Sequence, residues 1–348
     1  MVFDAAIDTM ASKNSVLGTV LCIENGDNTI SWTGARGNIE RDAQYFITSV
    51  TKLCITALIL KLRFEKRINF EDTILNYLSG PLYDRLHVLN GEDYTGEITI
   101  AHLLSNTSGI PEYLSQKQAN GKTADYNLFR TGQDEPWPVE KVMDAVKKMK
   151  PAFRPGQKGK VDYSNTNHRL LGAIIEMITR RPIAEVFQEY IFDELNLKAT
   201  YAYKDINDEA PVPMYYKGKV LNIPNCMASV TPEGGIVSTA PETMKIIKAF
   251  FNGHFFPKEY IDELKKWNFI FFPLQSYFGI GLEKLWVPRL LTPFKPISEI
   301  LGFWGSSGAF AFYNPDTDLY FTGTVNQSSG FAHGAAFKAI LKVIKHTL

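Results

Sequence analysis

Residues 46–60 read FITSVTKLCITALIL: small polar residues, then an apolar run that continues to Leu62, as at a helix start. The opening turn contains Ser49-Val50-Thr51-Lys52. Residues three apart share one helix face, so Ser49 and Lys52 point into the same space. A serine hydroxyl is a weak nucleophile until a base takes its proton. A lysine can serve once burial has lowered its proton affinity. A helix start also offers free backbone N–H groups to a developing oxyanion. The pattern alone is weak. With 17 Ser and 26 Lys in 348 residues, about one chance match is expected, and this is the one present. A helix-start serine beside a solvated lysine is the plainer reading of those four residues.

A second segment changes the balance. Residues 153–176, FRPGQKGKVDYSNTNHRLLGAIIE, place Tyr163-Ser164-Asn165 just before an apolar helix. Tyrosine, with a pKa of ≈ 10, is a poor base at neutral pH. Beside a lysine ammonium its phenolate becomes accessible, takes the serine proton and returns it to the leaving group. Asn165 has both donor and acceptor atoms to orient Lys52 or a substrate carbonyl. The alternative is a loop tyrosine capping the helix at 166.

With both segments in view, the chain resembles the serine β-lactamase / penicillin-binding protein family, in particular its class C branch with D,D-peptidase and family VIII esterase relatives. That family orders Ser-x-x-Lys, then Tyr-x-Asn, then Lys/His-Thr/Ser-Gly on a late strand. FITSVTK at 46–52 matches the first and FRPG…YSN at 153–165 the second. LLSNTSGIPEY at 103–113 and GGIVSTAPE at 234–242 resemble further family segments. The resemblance covers essentially the whole chain. It implies a serine that is acylated and then hydrolysed or passed to another acceptor, with Ser49 as nucleophile and Lys52 and Tyr163 as its general-base pair.

The third motif departs from the family. Residues 301–315 read LGFWGSSGAFAFYNP. Aligned without a gap, Phe303-Trp304-Gly305 stands in place of His-Ser-Gly. Shifted by one, Trp304-Gly305-Ser306 replaces Lys-Thr-Gly. In both frames the cation that would hold a substrate carboxylate is lost, and an apolar wall takes its place. Ser306, Ser307, Lys284 and Arg289 are the candidates to compensate. A backbone N–H still suffices for an oxyanion hole: that of Ser306 in the first frame, of Ser307 in the second, with Ser49's own as partner. Trp304 also fits a core strand position.

The remaining sequence bounds the answer. Lys plus Arg equals Asp plus Glu, which gives no reason to expect a nucleic-acid partner. No apolar run reaches a membrane span. The start, MVFDAAIDTMASKNSV, lacks a secretory pattern, so the chain as written reads as cytoplasmic, or as periplasmic or secreted if a signal has been removed. Cys22, Cys54 and Cys226 are widely spaced and read as buried hydrophobes. The six histidines have no metal-ligand spacing: His102 reads as structural, and His168 as near the cleft without a catalytic role. Gly234-Gly235 lacks the P-loop Lys-Ser/Thr and reads as a turn at a lobe junction. No metal or organic cofactor is expected. The expected partner is a small-molecule acyl substrate, and nothing sets an oligomeric state.

Hydrophobic periodicity predicts two strands in 15–38 around the Asn25-Gly26-Asp27 turn. It predicts short helical pieces in 64–110, a long polar loop over 119–138, and helices over 139–150 and 166–197. A helix capped by Ser238 or Thr239 follows. Strands occupy 276–286, 303–315 (turning at Asn314-Pro315-Asp316) and 318–327, and a terminal helix covers 335–348. The expected fold is α+β, of the β-lactamase/transpeptidase type. An antiparallel sheet from both termini (1–62 and 230–348) is covered by the nucleophile helix and the last helix, beside a mostly helical lobe (63–229). The function expected is a serine hydrolase of the esterase or acyltransferase kind. The runner-up is a β-lactamase or D-alanyl-D-alanine peptidase with a rebuilt carboxylate site. A catalytically idle binding protein is the third reading, and the joint presence of Ser49, Lys52, Tyr163 and Asn165 argues against it.

Overall fold

The computed structural model describes residues 2–13, 16–118, 121–126, 128, 131–271, 275–293, 295–328 and 330–348. Its largest unit is an eight-stranded sheet: β1 (Gly18–Asn25), β2 (Ser31–Gly37), β3 (Asn268–Phe271), β4 (Gln275–Phe278), β5 (Glu283–Leu285), β6 (Leu301–Trp304), β7 (Ala309–Asn314) and β8 (Leu319–Thr324). The order is β3-β4-β5-β6-β7-β8-β1-β2 and every pairing is antiparallel. The ends of the chain meet where β1 joins β8, from Val20 opposite Thr324 to Asn25 opposite Leu319.

Both faces of this sheet are covered, which is why β1 reads as an unbroken apolar run rather than an alternating one. Leu21 and Ile23 enter one core with α1 (Val2–Met10) and α6 (Gly330–Thr347), alongside Ala6, Ile7, Ile340 and Val343. Val20 and Cys22 enter the other, with α2 (Thr51–Phe64) and α5 (Ala240–Phe251). Helix α2 is sandwiched, and every residue from Thr51 to Leu60 is buried. A helix enclosed on all sides has no polar stripe to display. Helices α2 and α6 therefore cover opposite faces, and α1, which the sequence did not reveal, is the partner of α6.

Between α2 and α5 lie α3 (Val139–Lys147) and α4 (Asn165–Thr179). Helix α4 stops at Arg180, in the left-handed region at φ 58, just before Arg181-Pro182, a sequence that disfavours further helix. The predicted 166–197 helix is thus three pieces, resuming at Ile183–Phe187 and Gln188–Asp193. Thr239 caps α5, its Oγ1 accepting from Glu242 N–H at 3.2 Å. Thr99 and His102 form a reciprocal capping box on Ile100–Leu104, so His102 is structural.

The strand reading needs correction in count. The runs 276–286 and 303–315 each fold back as a hairpin, giving β4/β5 and β6/β7, and β3 was not foreseen. Apolar alternation does not report where the chain reverses; Gly281 (φ 67) and Gly308 (φ 90) do that here. The segment 64–110 also contains a small hairpin, Val88–Leu89 with Glu92–Asp93. In the polar stretch 119–138 one helical turn, Ala124–Tyr126, appears, and residues 119, 120, 127, 129 and 130 lie outside the described residues. All three cysteines are free and buried.

Candidate active site

Ser49 is delivered by a short strand and a strained turn. Tyr45–Phe46 pairs with Ile236–Ser238, and Ile47 N–H donates to Ile236 O at 3.0 Å. Thr48–Val50 then forms a 3-10 turn leading into α2. Thr48 sits at φ 43, a left-handed conformation that costs a non-glycine residue about 1–2 kcal/mol. Its neighbours hold it there. Ser307 N–H donates to Thr48 Oγ1 at 3.3 Å, and Ser307 Oγ donates to Phe46 O at 2.7 Å. Gly305 lies so close that a Cβ would come within 2.4 Å of both Ile47 O and Thr48 Oγ1. Gly305→Ala is therefore expected to push the turn out of place. It should lower Tm by several degrees. Thermal denaturation reads the effect, and an unchanged Tm would mean that the turn relaxes freely.

Lys52 is wholly buried, and its ammonium donates to three acceptors: Ser49 Oγ at 2.7 Å, Asn165 Oδ1 at 2.9 Å and Glu233 O at 2.8 Å. Burial pushes its pKa down to about 7, against the opposing pull of Glu233 and Glu112. The Tyr163 hydroxyl lies 2.9 Å from Ser49 Oγ. Ser164, not Tyr163, is the N-cap residue of α4, which removes the capping alternative.

The tyrosine's ionisation runs opposite to the sequence expectation. Burial raises the Tyr163 pKa, and the carboxyls of Glu112, Glu283 and Glu233 raise it further, against the lowering effect of Ser49's hydrogen bond. Nζ lies 5.3 Å from the ring centroid, yet the shift on Tyr163 is upward while that on Lys52 is downward. The softened proton affinity belongs to Lys52.

A second layer, not foreseen from the sequence, fixes these groups. Buried Glu112 accepts from the Asn165 backbone N–H, from Asn165 Nδ2 at 3.2 Å and from Leu114 N–H at 2.8 Å. Glu233, whose carbonyl receives Lys52, binds Arg169 through its carboxylate (Nη2 at 2.6 Å, Nε at 3.1 Å) and accepts from Tyr113 OH at 2.6 Å. A buried pair of this kind is costly to break from one side. Its sequence signal was present: Glu112 and Tyr113 end LLSNTSGIPEY, and Glu233 opens EGGIV.

The site opens on a cavity of about 430 Å³, walled by Leu114, Leu128, Ile223, Met227, Phe278 and Phe303 among others. Its described lining includes Asp125, Glu233 and Glu283 but no lysine or arginine. Lys284 stacks on Trp267 and Tyr277 instead, and neither it nor Arg289 lines the cavity. The residues of the altered third motif divide. The Phe303 ring sits 5.8 Å from Phe278, whose ring is 5.7 Å from Tyr163. Trp304 contributes to the lining too, but its ring packs in the other core, against Phe312 at 4.6 Å and His333 at 5.1 Å. Ser307's N–H is taken by Thr48 and Gly305's by Ala309 O at 2.8 Å. Among the described residues, no acceptor meets the N–H of Ser306 or of Ser49.

His333, on α6, was missed as well. Its Nε2 lies 2.9 Å from Gly305 O, so that nitrogen carries the hydrogen, and burial keeps the ring neutral with a pKa near 4. His168 is fully buried and does not line the cavity. No group of three or more His, Cys, Asp or Glu able to hold a metal occurs among the described residues. No described helix is long and apolar enough to cross a membrane.

The model of the Beta-lactamase family matches residues 3–344. The chain belongs to the Beta-lactamase family. A putative D-alanyl-D-alanine carboxypeptidase of Salmonella paratyphi A is 28% identical over 160 residues, 46% of this chain and 34% of that protein. The chain spans less than half the length of the curated family relatives it matches. Two solved structures share the family fold over nearly their whole length. A D-stereospecific amidohydrolase from Streptomyces sp. superposes with a TM-score of 0.80 at 24% identity, covering 97% of both chains. EstCE1, described as a hydrolase with promiscuous acyltransferase activity, has a TM-score of 0.78 at 18% identity, covering 98% of this chain and 97% of its own.

Proposed function

We propose that the protein is a serine hydrolase acting through an acyl-enzyme on an ester or related uncharged acyl substrate. The observation that carries this reading is the hydrogen-bonded cluster Ser49–Lys52–Tyr163–Asn165 at an apolar cavity whose described lining lacks a cation. Ser49 Oγ attacks the acyl carbon as its proton passes to the neutral amine of Lys52. Tyr163, a neutral phenol held on Ser49, relays a proton to the leaving group as the carbonyl re-forms. Water, or an alcohol in acyl transfer, then takes the acyl group by the reverse path. The free N–H groups of Ser49 and Ser306 support the ungapped frame of the third motif, in which they cradle the oxyanion. His333 would help by holding the Gly305 carbonyl away from the cavity, since the trans peptide fixes the Ser306 N–H opposite to it.

The name of the carboxypeptidase relative favours a second reading, peptidase or β-lactamase action. Parallel assays with a short-chain p-nitrophenyl ester and a chromogenic cephalosporin separate the two. Ester turnover with the cephalosporin untouched supports the proposal, and efficient cephalosporin turnover would overturn it.

The pH profile tests the role of Lys52. Below pH 7 its ammonium only donates; above, the amine accepts the Ser49 proton. With Nζ lowered from 10.5 to about 7, kcat/KM for ester hydrolysis should rise through a midpoint near pH 7. A profile flat from pH 6 to 8, or rising only above 9, would count against Lys52 as the base.

A further inference from the structure

Glu283, at the start of β5, has 1% of its surface exposed, yet it contributes to the lining of the cavity shared with Ser49 and Tyr163. Its carboxyl accepts hydrogen bonds from the Ser276 hydroxyl and the Trp304 backbone N–H. Its Oε1 has no partner. Buried carboxyl oxygens are rarely left this way. Glu283 lies opposite Phe278 on β4 and opposite Gly302 on β6, next in sequence to Phe303. In the ungapped frame Phe303 heads the motif that has lost its cation. Beside Phe303 a carboxyl thus stays buried with one oxygen unpartnered. Of the other acids of the described lining, Glu233 is engaged by Arg169 and Tyr113 through Oε1, although its Oε2 is also unpartnered.

We propose that Glu283 is a specificity-determining residue that recognises a protonated amine on the acyl part of the substrate. The proposal rests on the reading of Ser49 as nucleophile for which end of the ligand faces the serine. An ammonium N–H would supply the donor that Oε1 lacks, and a charge-assisted bond in an apolar cavity is among the stronger polar contacts. A metal ion does not fit the position, because no ligand cluster surrounds it among the described residues. Burial pushes the Glu283 pKa up to about 8, as expected of a carboxyl with no cation yet beside it.

The test uses ligand pairs that differ only in an ammonium or a methyl group: glycinamide, β-alaninamide, 4-aminobutanamide and 5-aminopentanamide against propanamide, butanamide, pentanamide and hexanamide. Binding to the intact protein is measured by titration calorimetry, so no turnover is needed. At least one ammonium ligand should bind about tenfold more tightly than its methyl partner, and Glu283→Gln should remove the difference. Glu283→Met provides a second, apolar replacement in case the amide variant folds poorly. No preference in the unsubstituted protein would overturn the proposal, and so would a preference that survives in the folded variants. If ammonium preference appears while p-nitrophenyl esters are not turned over, the nucleophile reading fails and the amine site stands. If esters are turned over without ammonium preference, the amine site fails alone.

Discussion

Ser49→Ala is expected to abolish acyl-enzyme formation while leaving the fold intact. The change removes one oxygen and no packing volume of consequence. Lys52 keeps two of its three acceptors, Asn165 Oδ1 and Glu233 O. What disappears is the hydroxyl that, in the proposed mechanism, carries the acyl group beside Lys52. Loss of a nucleophile that works as one unit with its base lowers kcat by roughly 10⁴–10⁶. Quenching a reaction with an activated ester and weighing the intact protein should show a single acyl adduct, mapped to the peptide containing Ser49 and absent from the alanine variant. Ester turnover that survives in Ser49→Ala would show that the chemistry lies elsewhere. Full stability with no adduct on the unsubstituted protein would leave an idle binding protein.

The parts of this site readable in the sequence are those with local signals. Ser49 and Lys52 are three residues apart on one turn, and Tyr163 and Asn165 flank the start of a strongly apolar helix. Thr239 was one of two cap candidates, and the structure chose it because its Oγ1 reaches the N–H three residues on. What escaped was non-local. Glu112, Arg169, Glu233, Glu283 and His333 come from five separate segments and acquire roles only when the fold brings them together. Their burial as charged or polar groups could not be inferred from neighbours in the chain. The short helix α1 escaped for a different reason. Its buried stripe of Ala6, Ile7 and Met10 makes sense only against α6, more than three hundred residues later. The same limit explains Tyr163. Sequence places a lysine near the tyrosine, but whether the phenol gives up its proton depends on burial and on three carboxyls that arrive from elsewhere.

With burial pushing the Lys52 pKa down and the Tyr163 pKa up, Lys52 is the residue whose replacement is most diagnostic after Ser49. If it acts only as a fixed positive charge, Lys52→Arg should retain much of the activity. If it acts as the base, arginine must fail, because a guanidinium does not release its proton near neutrality. The structure favours failure: three acceptors hold Nζ in place while burial brings its pKa to about 7. Arginine is also larger, and size alone could silence the variant, so Lys52→Ala supplies the complementary arm. Truncation should lower kcat by roughly 10²–10⁴, the usual weight of a positioned general base, and it leaves an opening beside Ser49. Small primary amines should then restore part of the lost rate, more strongly as pH rises and the free amine fraction grows. A fixed-charge role predicts the reverse, with rescue strongest where the added amine is protonated. Rescue that follows the neutral amine would establish proton transfer from Ser49 to Lys52 as the step that the buried lysine provides.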